Sequence, residues 1–237
     1  MKLSIIIPCY NEAKDLHNKV EIVKNKLKTL PIETEIILVN DGSKDNTKDV
    51  IALMGGVIRS GYDKNRGKGG AVKQGILDSS GDYILFMDAD LSTDLDAIDS
   101  LLPLLGVEKF IIGSRHHKES KIPIKQPLKR RFIGWCCRKI VNAKFHMHYT
   151  DTQCGFKCIE ANLARHIVNK QIINGFAFDV EYLYIAKLNN VNVKEIPVCW
   201  RDDRGSTVSP IKSSLAFFKD MRLIKRNKKN YLFLNQD

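Results

Sequence analysis

The sequence predicts an α/β fold in which a mostly parallel, Rossmann-like central sheet is flanked by helices. Two observations predict it. Through the first half of the chain, short runs rich in Ile, Val and Leu alternate with segments of helical periodicity, the pattern of repeated βαβ units. Four of those runs also lead into loops crowded with polar and charged residues, as strands of an open parallel sheet do at the rim where ligands bind.

The elements follow in chain order. "LSIIIP" (3–8) reads as the first strand, and residues 12–30 as a helix with Leu16, Val20, Val23 and Leu27 along one face. "EIILVN" (35–40) is a second strand and 45–54 a short helix. "GGVIRS" (55–60) is a third strand, and "GKGGAVKQGILDS" (67–79) a helix that begins among glycines. "YILFMD" (83–88) is a fourth strand, 94–105 a helix and "FIIGSR" (110–115) a fifth strand. Runs this apolar suit strands covered on both faces. Beyond them, 127–144 reads as an amphipathic helix whose apolar face is Leu128, Phe132, Trp135, Cys136, Ile140 and Ala143. That face either packs on the core or lies on an anionic membrane leaflet. Residues 160–170 and 179–190 read as helices, "VKEIPVCW" (193–200) as an edge strand with Pro near its end, and 211–229 as a basic helix.

The bulk properties narrow the function. At 237 residues, 43% hydrophobic and 27% charged, the chain buries a real core. No run of roughly 18 apolar residues is present, so nothing in the sequence is expected to span a bilayer. The start, "MKLSIIIPCYNE", is too short in apolar residues for a secretory leader and lacks a small-residue cleavage site, so the protein is expected in the cytosol. The six Cys show no CxxC spacing and are expected to stay reduced. Cys154, Cys158 and His166 lack a fourth ligand at a usual zinc spacing. The net charge of +11 is uneven: residues 1–110 carry 14 Lys and Arg against 17 Asp and Glu, residues 111–237 carry 24 against 10. Such asymmetry suits either a polyanionic partner for the second half or a basic surface that is merely soluble.

The rim loops carry the chemistry. Asp88 and Asp90 close the fourth strand one residue apart. Adjacent carboxylates repel unless a cation lies between them, and Mg²⁺ or Mn²⁺ held with a diphosphate does this; alternatively Asp90 caps the following turn. In "NRGKGGA", glycines let backbone amides approach an anion and Lys68 adds a point charge; the segment is neither a GxxxxGK[ST] loop nor GxGxxG, and it also reads as a plain strand-to-helix turn. Asp41 in "NDGS" either accepts hydrogen bonds from a base or ribose, or serves the turn.

"IIIPCYNE", "ILVNDGSKDNT", "NRGKGGAVKQGI" and "FMDADLST" together resemble the inverting family 2 glycosyltransferases, which have a GT-A fold. "GSR" (113–115), "DTQCGFK" (151–157), "FAFDVEYLYIA" (176–186) and "EIPVCWRDDRGS" (195–206) are similar to the dolichyl-phosphate (polyprenyl-phosphate) beta-glucosyltransferase branch, over roughly residues 1–215. The resemblance implies a GT-A domain at 1–215, its nucleotide-sugar half at 1–115 and its acceptor half at 116–215, with a basic C-terminal helix and tail at 216–237. It implies that Pro8, Tyr10, Asn11 and Glu12 line the base and ribose of a nucleotide donor, with UDP-glucose the expected one. Asp41 binds the uracil, Lys68 faces the nucleotide, and Asp88 and Asp90 hold ribose and metal-bound diphosphate. Asp90, Gln153 and Asp179 are the catalytic candidates, with Glu181 near the sugar. Asp179 orients sugar hydroxyls or the acceptor loop, or acts as a base. Arg115, Arg130 and Arg131, with Lys129 close by, are the candidates for an acceptor phosphate, because the Arg fork binds phosphate bidentately; the alternative for Arg130 and Arg131 is a solvated helix face. The implied acceptor is a polyprenyl phosphate, the cofactor Mg²⁺ or Mn²⁺, and the location the cytoplasmic membrane face, with peripheral attachment through the basic half. Mannose or N-acetylglucosamine as the sugar, or a soluble glycan as acceptor, are the nearest rivals. Nucleic acid is not an expected partner, since aromatic residues are not interleaved with basic ones as in single-strand binders.

Overall fold

A computed structural model of the protein describes residues 1–202 and 210–233, with backbone alone at 210–214. Residues 203–206 of the "EIPVCWRDDRGS" motif lie outside the described residues. One seven-stranded sheet forms the centre, in the order β3-β2-β1-β4-β6-β5-β7. Its strands are β1 (Lys2–Cys9), β2 (Glu33–Asp41), β3 (Ile58–Tyr62), β4 (Tyr83–Met87), β5 (Phe110–Ser114), β6 (Phe156–Glu160) and β7 (Val193–Pro197). The helices are α1 (Leu16–Leu27), α2 (Thr47–Leu53), α3 (Lys68–Asp78), α4 (Ala97–Leu101), α5 (Leu128–Phe145), α6 (Ala161–Lys170), α7 (Phe178–Leu188) and α8 (Pro210–Arg226).

Strand alternation sends side chains to two cores. Ile6, Ile37, Val39 and Phe86 face α3, α6 and α7, while Ile5, Ile7, Leu38 and Leu85 face α1 and α4. Leu3, Ile5, Ile6 and Ile7 of β1 are each at most 1% exposed, and each such side chain contributes roughly 1.5–3 kcal/mol of burial. The strand is therefore firmly placed, and so is the loop it delivers.

Register then assembles the rim. β1 pairs in parallel with β2 and β4, and β2 with β3. Their carboxyl ends therefore share one edge. β6 was not foreseen. It runs antiparallel between β4 and β5, with Met87 opposite Phe156, so its preceding loop, residues 150–155, meets the end of β4 at the same edge. β5 runs antiparallel to β6 and therefore in the same sense as β4, so Arg115, directly after β5, joins the rim as well; β7 pairs in parallel with β5 at the edge.

Two further features concern the second half of the chain. On α5, only Val141 and Phe145 are buried. Leu128 (77% exposed), Phe132 (66%), Trp135 (48%) and Ile140 (42%) face outward, so the apolar face does not pack on the core. At the other end of the chain, position 215/216 falls inside the continuous α8, and Phe217, Met221, Ile224 and Tyr231 bury into the same core as α7.

Candidate active site

Asp88 directly follows β4. Its backbone N–H donates to the Gly155 carbonyl (3.2 Å) and its carboxylate accepts from the Lys68 ammonium at the start of α3. Gly155 is required here: a Cβ at this position would run into the Asp88 carboxylate. Burial opposes the charge on Lys68, but the carboxylates of Asp88, Asp179 and Asp90 outweigh it and raise the ammonium above its usual range. Asp90 accepts the Ser92 N–H at 2.8 Å. Burial, then repulsion from Asp88, pushes its carboxyl up. The end of β4 thus sets two carboxylates beside the one ammonium of Lys68.

Below this pair lies a residue the sequence reading passed over. Lys157 of β6 is 0% exposed, and its ammonium lies 2.6 Å from the Asp179 carboxylate while donating to the Cys154 carbonyl at 2.5 Å. Burial drives the Asp179 carboxyl up despite the attraction of Lys157 and Lys68. Asp179 is therefore buried and ion-paired in the floor. Glu181, two residues further along α7, is buried and accepts the backbone N–H groups of Ile172 and Ile173 in loop 171–175.

Asp41 is saturated. Its carboxylate accepts from the Tyr62 hydroxyl (2.7 Å), the Asn65 amide (3.0 Å) and the Arg66 N–H (2.8 Å). A fourth donor is the Gly67 N–H at 3.0 Å. Asp41 ties the end of β2 to the glycine-rich loop, and a uracil N–H would have to displace one of these donors. The β1 loop is tied to the β2 loop in turn: Asn11, at φ 58°, accepts the Lys44 N–H (2.8 Å), and the Glu12 N–H donates to Thr47 Oγ1 (2.8 Å). Pro8 is half-buried at the end of β1, and Tyr10 is exposed.

On the second-half side, the Arg115 guanidinium forks onto Asp151, Nε at 2.7 Å and Nη2 at 2.9 Å. The Arg115 backbone N–H adds a third bond at 3.0 Å, and Trp200 lies under the guanidinium at 5.4 Å. Burial resists, but Arg115 holds the Asp151 carboxyl far below its usual range. The fork of Arg115 is thus spent on Asp151, which fixes loop 150–155 and the half-buried Gln153. Burial, then Arg138, lowers the nearby His116, with Arg115 and Arg131 adding to the effect. The charges of Arg131 and Arg138 on α5 are thus felt at His116, two residues beyond β5; Arg130 is half-buried beside Arg131 on the first turn of α5. Among the described residues, no group of three or more His, Cys, Asp or Glu could hold a metal unaided. Asp88 and Asp90 can supply two oxygens to a hydrated cation that takes the rest from phosphate.

Fold and rim together define a glycosyltransferase of the GT-A class. The mannosyl-3-phosphoglycerate synthase of Rubrobacter xylanophilus superimposes with a TM-score of 0.71, 18% identity, 98% of this chain and 76% of that one. The glucosyl-3-phosphoglycerate synthase of Mycobacterium tuberculosis, crystallised with Mn²⁺, UDP and glucosyl-3-phosphoglycerate, gives 0.68, 15%, 96% and 79%. At such identities the likeness is one of fold. Sequence places the chain more closely: it belongs to glycosyl transferase family 2, whose profile matches residues 4–173. Dolichyl-phosphate beta-glucosyltransferases from Dictyostelium discoideum and Homo sapiens are 33% and 32% identical to it. Each alignment covers 94% of this chain, and 73% and 75% of the relative.

Proposed function

We propose that the protein transfers glucose from UDP-glucose to a polyprenyl phosphate at the cytoplasmic face of a membrane, with Mg²⁺ or Mn²⁺. The observation that carries this reading is the Asp88–Asp90 pair, with Lys68 against one carboxylate and loop 150–155 closing over it. The relatives named above support glucose and the lipid phosphate, and the synthase crystallised with Mn²⁺ and UDP supports the donor chemistry.

A divalent cation, when bound by Asp88 and Asp90, supplies positive charge to the leaving diphosphate. The chain's own residues do the rest. Lys68 can pass from Asp88 to a phosphate oxygen of the donor. Asp41 and Asn11 hold their loops so that the nucleotide meets a preformed edge. Arg115 and Asp151 fix Gln153 and loop 150–155 toward the acceptor, and Arg131 and Arg138 offer charge to its phosphate. A phosphate monoester is already largely ionised near neutral pH, with a second pKa of about 6. It needs no strong base, which agrees with Asp179 being ion-paired to Lys157. Positioning and charge neutralisation supply the rate.

Membrane attachment is read from α5. No described helix is long and apolar enough to cross a bilayer. Phe132 and Trp135 stack at 6.2 Å on the exposed face of α5. Lys129, Arg131 and Lys139 flank them, and residues 120–150 contain no Asp or Glu. A basic helix with exposed aromatics suits an anionic interface.

The test is transfer of label from UDP-[¹⁴C]glucose into the organic phase with polyprenyl phosphate and either metal, and its loss in Asp90→Ala. No organic-phase label with UDP-glucose, while another donor succeeds, would overturn the assignment of the sugar. Failure with every donor would overturn the lipid-phosphate reading.

A further inference from the structure

We propose that the C-terminal segment is a positioning element for the nucleotide loop, acting through Tyr231 and Glu181. Tyr231, in the short turn after α8, is 0% exposed, and its hydroxyl donates to Glu181 Oε1 at 2.6 Å. Its ring stands edge-on to Tyr184, with centroids 6.3 Å apart. The segment is strapped to the end of α7 by two more bonds: Asn189 Nδ2 donates to the Tyr231 carbonyl (2.9 Å), and the Phe233 N–H donates to Asn189 Oδ1 (2.7 Å).

Glu181 passes the constraint on. It is 0% exposed, and besides the phenol it accepts the N–H groups of Ile172 (2.8 Å) and Ile173 (3.0 Å). Three donors therefore converge on one buried carboxylate in the first turn of α7, where the helix N-terminus favours negative charge. Loop 171–175 in turn carries the glycine-rich loop. Gln171 Nε2 donates to the Gly69 carbonyl (3.0 Å), and the Gly70 N–H donates to the Asn174 carbonyl (3.1 Å). At Gly67, which has φ 99°, a Cβ would lie 2.6 Å from the Asn174 carbonyl oxygen. At Gly67 and Gly70 the two loops thus meet backbone to backbone. The next residue is Lys68, whose ammonium holds Asp88. A displacement of Tyr231 has an unbroken path of hydrogen bonds and close packing to the charged rim.

This inference rests on the reading that residues 66–70 meet the donor diphosphate, and the test separates the two. UDP affinity with Mn²⁺ is measured calorimetrically, and amide exchange is followed at Ile172, Ile173 and Gly70. Tyr231→Phe leaves the ring packing and removes one bond to a buried carboxylate. It is expected to weaken UDP by about tenfold, to raise KM for the donor more than it lowers kcat, and to speed exchange at all three amides. Glu181→Gln, which replaces one acceptor oxygen by a donor, is expected to weaken UDP further. Ile98→Val, in the opposite core, serves as the control for plain destabilisation and is expected to leave UDP affinity unchanged. Unchanged UDP affinity and Gly70 exchange in Tyr231→Phe would overturn the proposal, as would an equal loss in Ile98→Val. A wild-type protein that binds no nucleoside diphosphate would overturn the donor-site reading instead, and the exchange data would still decide on the strut.

Discussion

Replacing Lys157 by Met removes the one ammonium in direct contact with the Asp179 carboxylate among the described residues. Lys157 is fully buried and Asp179 is 6% exposed, 2.6 Å apart. Breaking a buried ion pair by deleting one partner costs about 3–5 kcal/mol, because the remaining charge is left uncompensated. The Cys154 carbonyl also loses its donor, a further cost of about 1 kcal/mol, while the residual attraction of Lys68 trims the total. For a chain of this length each kcal/mol lowers Tm by roughly 2–4 °C, so a net loss of about 3–5 kcal/mol corresponds to about 6–20 °C. The loss depends on pH. A carboxyl whose folded pKa lies above its unfolded value destabilises at higher pH, and the penalty fades as pH falls toward the unfolded value of 3.8. Lys157→Met raises Asp179 further, so the gap to wild type should narrow on acidification toward that value. The double variant Lys157→Met/Asp179→Leu should recover most of the loss, since a buried pair is often replaceable by apolar residues at little cost. Urea unfolding followed by Trp fluorescence at two pH values reads all three proteins. A single variant within about 1 kcal/mol of wild type at neutral pH, or a double variant no more stable than the single, would refute the reasoning.

Gly155→Ala should abolish transferase activity, because the new methyl group displaces the Asp88 carboxylate; a variant that binds UDP with Mn²⁺ as wild type does would contradict the placement. Phe132→Ala combined with Trp135→Ala should reduce co-sedimentation with vesicles containing anionic phospholipid. Because both side chains are exposed, it should change stability by no more than about 0.5 kcal/mol per residue. Glu35 reports on acid stability. Burial would raise its carboxyl, but Lys2, Ser4 and Ser80 outweigh it and hold it at about 2, below the ordinary 4.5. The stabilisation it contributes is complete above the unfolded value and is lost as pH falls from about 4.5 toward 2. Glu35→Gln should therefore flatten that stretch of the acid-unfolding profile, with wild type and variant differing at neutral pH and converging in acid.

Much of the rim was legible in the sequence. Asp41, Lys68, Asp88 and Asp90 follow strands or precede helices whose periodicity is plain, and the parallel register brings them to one edge. Their partners were less legible. Asp41 looked free to meet a base, yet four donors from residues 62–67 already surround it. Arg115 looked free to meet a phosphate, yet its fork closes on Asp151, 36 residues away. Lys157 went unnoticed because a Lys in the middle of "FKCIE" breaks the apolar pattern of a buried strand, and β6 went unnoticed with it.

The sequence by itself determined the βαβ alternation, the polar loops at the strand ends and the basic second half, because periodicity and turn chemistry are written over a few adjacent residues. Only the tertiary structure decided the reversal of β6, the Lys157–Asp179 pair, the Arg115–Asp151 clamp and the exposure of α5's apolar face. A charge can be buried only beside a partner, and an apolar face is covered only if another element reaches it. Both depend on residues distant in the chain, which no local stretch of sequence contains together.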